Sequence, residues 1–209
     1  MELQPDKNWH YPGDLKAALA TAGLELVAAA GPDALTLRAV ARMAGVSAMA
    51  PYHHFRDRTA LVAAVATLGF QRLFAAKQQA LALAPTDPAA QLEAGSAAYV
   101  RFARDNPGLY RLMKSAELAD RSAHPDLASA AAEPGASLAR LLAALAAAGR
   151  LGDTRPAEAA ALLWAMVHGL ALLSLDGYLT EPEALARAGT RAMIAGFAGS
   201  AGDGVDSLS

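Results

Sequence analysis

The sequence predicts an all-α protein with a small N-terminal helix-turn-helix head and a longer helical bundle after it. Three observations lead there. Hydrophobic residues make up 54% of the chain while aromatics supply only 6%, so alanine and leucine carry the apolar content, a mixture of high helix and low strand propensity. Apolar residues recur with a helical rather than an alternating period. Proline and glycine then cut the chain into helix-sized pieces.

Residues 1–11 read as a flexible arm. From Asp14 to Ala30, Leu15, Leu19, Ala22 and Leu26 repeat at helical spacing until Gly31-Pro32 stops the helix. Thr36 caps a second helix with the inner face Leu37, Val40, Ala41 and Ala44. Gly45 ends it in a left-handed turn and Val46 seals that turn. Ser47 is set to cap a third short helix that runs to Phe55. Pro51 interrupts it by removing a backbone donor, so a distorted first turn or a start near Ala50 is expected. Asp57 caps a long helix to about Ala84, with Leu61, Val65, Leu68, Phe70 and Leu73 facing inward.

Pro85 and Pro88 break the pattern. Five further helices are expected at 89–104, 107–118, 135–148, 156–175 and 182–198, with Pro134, Pro156 and Pro182 as first helical residues. Residues 121–134 read as a loop or frayed helix. The glycine- and serine-rich residues 200–209 read as a disordered tail. The domain plan is therefore an arm at 1–11, a head at 12–60, a body at 61–199 and the tail. From Ala159 to Leu175 only His168 and Ser174 are strongly polar. That is short for a bilayer span, so a helix buried all round in a bundle or a dimer is expected, with no membrane partner.

The chain has no cysteine, which excludes a disulfide scaffold, a thiolate metal site and a cysteine nucleophile. The first residues lack the apolar core of a secretory signal, and a cytoplasmic location is expected. Net charge is only −2. Between Ala34 and Arg58, however, Arg38, Arg42, Arg56 and Arg58 face a single acid, Asp57. A nucleic-acid surface explains such a local excess, and so does a solvated arginine face.

The run Leu35-Thr36-Leu37-Arg38-Ala39-Val40-Ala41-Arg42-Met43-Ala44-Gly45-Val46-Ser47, followed by Tyr52-His53-His54-Phe55-Arg56-Asp57-Arg58-Thr59-Ala60-Leu61, resembles the head of the TetR family of transcriptional regulators. That resemblance implies a homodimer that binds double-stranded operator DNA, with Thr36, Tyr52 and Arg58 gripping the backbone. It implies repression, relieved when a small-molecule effector enters the C-terminal domain for ligand binding and dimerisation, and it implies no cofactor and no metal. Arg58 stands where lysine is more usual. A recognition helix in the major groove would present Ser47, Ala48, Met49 and Ala50 toward the bases. The last three offer only apolar contact, for instance with thymine methyls. His53 is then the polar side chain placed to reach a base edge. Arg38 is a further phosphate contact, and Arg42 is open between the two readings. His54 is expected to pack or hydrogen-bond the fold, and Phe55 to be core.

Farther on, Trp164-x3-His168-Gly169, Tyr99-x2-Phe102 and Asn106-Pro107-x2-Tyr110-Arg111-Leu112-Met113 resemble the Trp-His-Gly subgroup of that family. Candidate effector-lining residues are Tyr99, Phe102, Tyr110, Met113, Trp164 and His168, each of which also fits an ordinary core. Met166, Gly169, Leu170 and Leu173 form a stripe that suits a twofold contact. The long helix after Arg58 is the lever through which an effector would alter head spacing. Two rival classes stay in view. A helical ligand-binding or interaction protein without DNA binding is one. A small helical enzyme is the other, although no His-Glu-x2-His, Gly-x-Ser-x-Gly or phosphate-loop sequence occurs.

Overall fold

The Asp14 carboxylate accepts from the Lys16 and Ala17 amides at 3.0 and 3.3 Å, and with that cap the first helix begins. The computed structural model describes residues 14–199, all helical where regular. The arm at 1–11 and the tail at 200–209 lie outside the described residues. The order is α1 Leu15–Ala30, a 3-10 turn Pro32–Ala34, α2 Leu37–Met43, a 3-10 turn Ala50–His53, α3 Arg58–Leu83, α4 Pro88–Asp105, α5 Pro107–Met113, a 3-10 turn Ala116–Leu118, α6 Pro125–Ala147, α7 Pro156–Leu175 and α8 Pro182–Gly199.

The chain divides into two units interleaved in sequence. One holds the chain through Arg72 together with Asn106–Ala131; the other holds Leu73–Asp105 and the chain from Ala132.

In the first unit α1 packs on α2 and α5. Its core includes Leu19, Val27, Leu35, Val40, Phe55, Leu61, Val65, Tyr110 and Met113, all essentially free of solvent. Glycine sets the approach of α1 to α3. A Cβ on Gly23 would stand 2.8 Å from Val65 Cγ2 and 3.1 Å from Leu35 Cδ1. A Cβ on Gly69 would likewise meet Met113 Sδ at 2.7 Å.

In the second unit α4, α7 and α8 pack mutually. Leu92, Leu142, Leu145, Leu151, Ala159, Leu163 and Ile194 form its apolar centre. Polar ties rim it: Thr190 Oγ1 donates to Ser96 Oγ at 2.8 Å, Arg191 pairs with Glu93 at 2.6 Å and Arg104 with Glu183 at 2.7 Å. Burial lowers the Lys77 ammonium to about 8; it donates to the Pro134 carbonyl at 3.1 Å.

Three expectations are corrected. Residues 125–134 are helical, and Pro134 lies inside α6 rather than at its start. The first-turn proline is Pro125, and the Ala128 amide reaches the His124 carbonyl at 2.9 Å. Burial of Leu127 and Ala130 favours this turn and offsets an interior proline that costs about 3 kcal/mol. The helix expected at 107–118 ends at Met113, where Lys114 and Ser115 turn back on Arg111 and Leu112 and a separate 3-10 turn succeeds it.

The third correction concerns α7: within one chain it is not buried all round, which overturns the bundle alternative and leaves the dimer one. Its covered residues are Ala159, Leu163, Val167 and Ala171, one per turn, while Leu162, Trp164, Leu172 and Leu173 are exposed. By length and composition alone, α3 and α7 could each cross a bilayer. α3 passes that test as a partly buried core helix of a folded protein does.

Candidate nucleic-acid interface

The head is built from two capped helices and one glycine turn. Thr36 is extended and its Oγ1 accepts from the Ala39 amide at 3.1 Å, starting α2. Leu37, Val40 and Ala41 turn inward, which leaves Thr36, Arg38 and Arg42 exposed along the other side. At the end of α2 the Val46 amide reaches back to the Ala41 carbonyl at 3.0 Å and the Gly45 amide to Arg42 at 3.3 Å. Gly45 has φ +68°. This pair of bonds around a left-handed residue closes a helix end and redirects the chain within two residues.

The segment after that turn is not a regular α-helix. Pro51 lacks the amide that would have reached the Ser47 carbonyl, and the Ala50 amide takes that acceptor instead at 3.0 Å. An i to i+3 bond of this kind tightens the backbone into the 3-10 turn Ala50–His53. The start near Ala50 expected from Pro51 is what forms. Ser47 does not cap a helix as expected; its carbonyl rather than its side chain opens the turn, because the proline has taken the fourth position of the helix it would have led.

The surface this turn presents is open. Ser47, Ala48, His53 and His54 are exposed and Ala50 is half-buried. Met49 is 63% exposed and Tyr52 46%, large values for apolar side chains. His54, expected to pack or bond, is exposed as well. Phe55 and Pro51 anchor the segment from below, Phe55 at 1% exposure. The Asp57 carboxylate accepts from the Ala60 amide at 2.8 Å and from Arg56 at 2.9 Å, starting α3. Those bonds hold it below the usual carboxylate range.

Arg58 is the residue whose surroundings sequence did not reveal. Its Nε donates to the Leu35 carbonyl at 3.0 Å and its Nη1 to both oxygens of Glu117, at 3.1 and 2.8 Å. Glu117 lies 59 residues away on the short turn after α5, and no local pattern marks the pairing. The guanidinium is still partly exposed, at 43%.

The expected effector residues fall in both units. Tyr99 and Phe102 of α4, with Trp164 and His168 of α7, belong to the second; Tyr110 and Met113 of α5 belong to the first. Tyr99 Oη lies 3.5 Å from His168 Nδ1. The Trp164 and His168 rings stack with centroids 5.3 Å apart and planes within 8°. Trp164 is nevertheless 52% exposed, whereas Tyr99, Phe102, Tyr110 and Met113 are buried.

A capped helix, a glycine turn and an exposed second segment over a shared apolar core are the parts of a helix-turn-helix DNA-binding regulator. Residues 19–65 match the model of bacterial regulatory proteins of the tetR family. Residues 92–197 match the tetracyclin repressor-like C-terminal domain, a description that does not single out the Trp-His-Gly subgroup. No curated protein sequence matches the chain.

Among solved structures, a protein of unknown function from Rhodococcus sp. RHA1 is 32% identical over 92% of this chain and 100% of that one, with a TM-score of 0.80. The TetR-family regulator PfmR from Thermus thermophilus shares the fold at 20% identity and TM-score 0.64, covering 84% of this chain and 96% of its own. RolR in complex with resorcinol shares it at 21% identity and TM-score 0.66, covering 93% and 96%. The chain belongs to the TetR family and is a DNA-binding transcriptional regulator.

Proposed function

We propose that this regulator is a cytoplasmic, non-enzymatic repressor that binds operator DNA as a homodimer and releases it when a small molecule binds. The observation that carries the reading is the exposure of Ser47, Ala48, Met49, Tyr52 and His53, held up by Phe55 and Pro51 after the turn at Gly45. Residues 12–60 serve as the DNA-binding segment and residues 61–199 as the ligand-binding and dimerisation region.

On the duplex, Thr36, Arg38 and Tyr52 contact phosphates. Ala48, Met49 and Ala50 read thymine methyls by apolar contact, while Ser47 and His53 supply the polar reach. Arg58 presents its full charge to a phosphate when it gives up Glu117. Because the base-facing side chains are so apolar, groove shape carries much of the specificity. Dimerisation uses the uncovered side of α7, including Leu172 and Leu173, and two heads must sit about 34–36 Å apart, one helical turn of DNA, to occupy adjacent major grooves.

Effector binding involves Tyr99, Phe102, Trp164 and His168 of the second unit. A ligand that favours a conformation with another head spacing lowers operator affinity by its differential binding energy. The resorcinol held by RolR is the kind of small molecule such a protein accommodates.

The test is titration of the promoter region beside its own gene with purified full-length protein at several salt concentrations. Binding that falls steeply with salt, and that Arg38→Ala with Tyr52→Phe weakens about tenfold or more, supports the reading. A dimer without promoter affinity would point to the helical interaction protein instead.

A further inference from the structure

A second cationic cluster forms around the Phe70 ring. Lys114, which ends α5, holds its Nζ 5.3 Å from the Phe70 ring centroid and 5.8 Å from that of Tyr110. The Arg121 guanidinium carbon stands 5.2 Å from the same Phe70 ring. Phe70 and Tyr110 are buried, while the two cationic residues are half-buried and so reach solvent.

Three acids, Glu117, Asp120 and Asp57, are committed elsewhere. Glu117 is held by Arg58. Asp120 accepts from the Ser122 amide at 2.9 Å and from its hydroxyl at 2.6 Å. Asp57 is held by Ala60 and Arg56. Among the described residues, no carboxylate forms an ion pair with Lys114 or Arg121. One residue past Lys114, the Ser115 hydroxyl is buried and without a hydrogen-bond partner.

Two cations on one ring repel each other. Burial, with Arg121 adding to it, lowers the Lys114 ammonium to about 8. Cation–π contact is a small return for a partly desolvated ammonium beside a second charge. An anion bridging the two would remove the conflict.

We propose that Lys114 and Arg121 form a binding site for the anionic oxygen head group, carboxylate or phosphate, of a small molecule. The Arg121 fork matches either head in a planar, two-bond fashion, and Lys114 supplies a second, point-like charge. That occupancy releases DNA rests on the repressor reading above; the site itself does not.

The experiment is calorimetric titration of DNA-free, full-length protein with sodium benzoate, benzamide and inorganic phosphate at constant ionic strength. Benzoate or phosphate should bind while neutral benzamide does not, and the stronger of the two names the head group. Lys114→Met and Arg121→Gln should each weaken that binding about tenfold or more, and Lys114→Arg should restore it, with circular dichroism checking the fold. Equal binding of benzoate and benzamide, no binding of either anion, or undiminished binding by folded Arg121→Gln overturns the proposal. Anion binding that leaves promoter affinity unchanged upholds the site and removes only its link to DNA release.

Discussion

The Arg58 guanidinium holds both carboxylate oxygens of Glu117 through Nη1 while its Nε reaches the Leu35 carbonyl. One side chain thus joins the start of α3 to the entry of α2 and to the turn after α5. Glu117→Gln frees that charge toward a phosphate. Expected are tighter duplex binding at low salt and a log–log salt dependence steeper by about 0.9 for the one added contact. The pair is partly exposed, so the loss of stability should be about 1 kcal/mol at most. Salt titrations of wild type and variant on one duplex check it; an unchanged slope would make Arg58 a structural clamp only.

The Thr36 hydroxyl starts α2 through the Ala39 amide. Thr36→Ala should cost about 1 kcal/mol, a fall of roughly 2–4 °C in Tm for a chain of this size. Thr36→Ser should recover most of it. Thermal melts of the three proteins decide.

Gly23 and Gly135 separate packing from propensity. A methyl at Gly23 meets Val65 and Leu35, whereas nothing lies within 4 Å of one at Gly135. Gly23→Ala should destabilise by about 1–3 kcal/mol through overpacking. Gly135→Ala, inside α6, should stabilise by about 0.5–1 kcal/mol. Urea midpoints at equal slope measure both.

Burial holds the Lys77 ammonium at about 8 in the folded chain, below its value of about 10.4 when unfolded. Between about pH 8 and pH 10 the unfolded chain therefore binds more protons, and stability rises with pH across that window. Below pH 8 both states are protonated and the penalty is constant. Lys77→Met removes it and should stabilise the protein at pH 7 by about 1–3 kcal/mol. The rise between pH 8 and pH 10 should shrink to the part Lys114 contributes. Tm measured from pH 6 to pH 10 reads both effects.

Leu172 and Leu173 are large apolar side chains left 41% and 44% exposed on α7. Leu173→Glu should shift the protein to a monomer in sedimentation and reduce operator affinity at least tenfold, because a dimer binds two half-sites at once.

Much of this molecule could be read from its local chemistry. Thr36 and Asp57 cap the helices they precede, Gly45 takes the left-handed turn, and Pro51 forces a start at Ala50, since each acts on neighbours within four residues. Pro134 misled for the opposite reason. Its local signal says helix start, but buried Leu127 and Ala130 place it in mid-helix. For α7 the sequence left a bundle and a dimer as alternatives, because composition counts apolar residues without saying what covers them. Only tertiary structure paired Arg58 with Glu117 and set Lys114 and Arg121 on one ring. Those contacts join residues far apart in the chain, where spacing carries no information and packing alone chooses the partner.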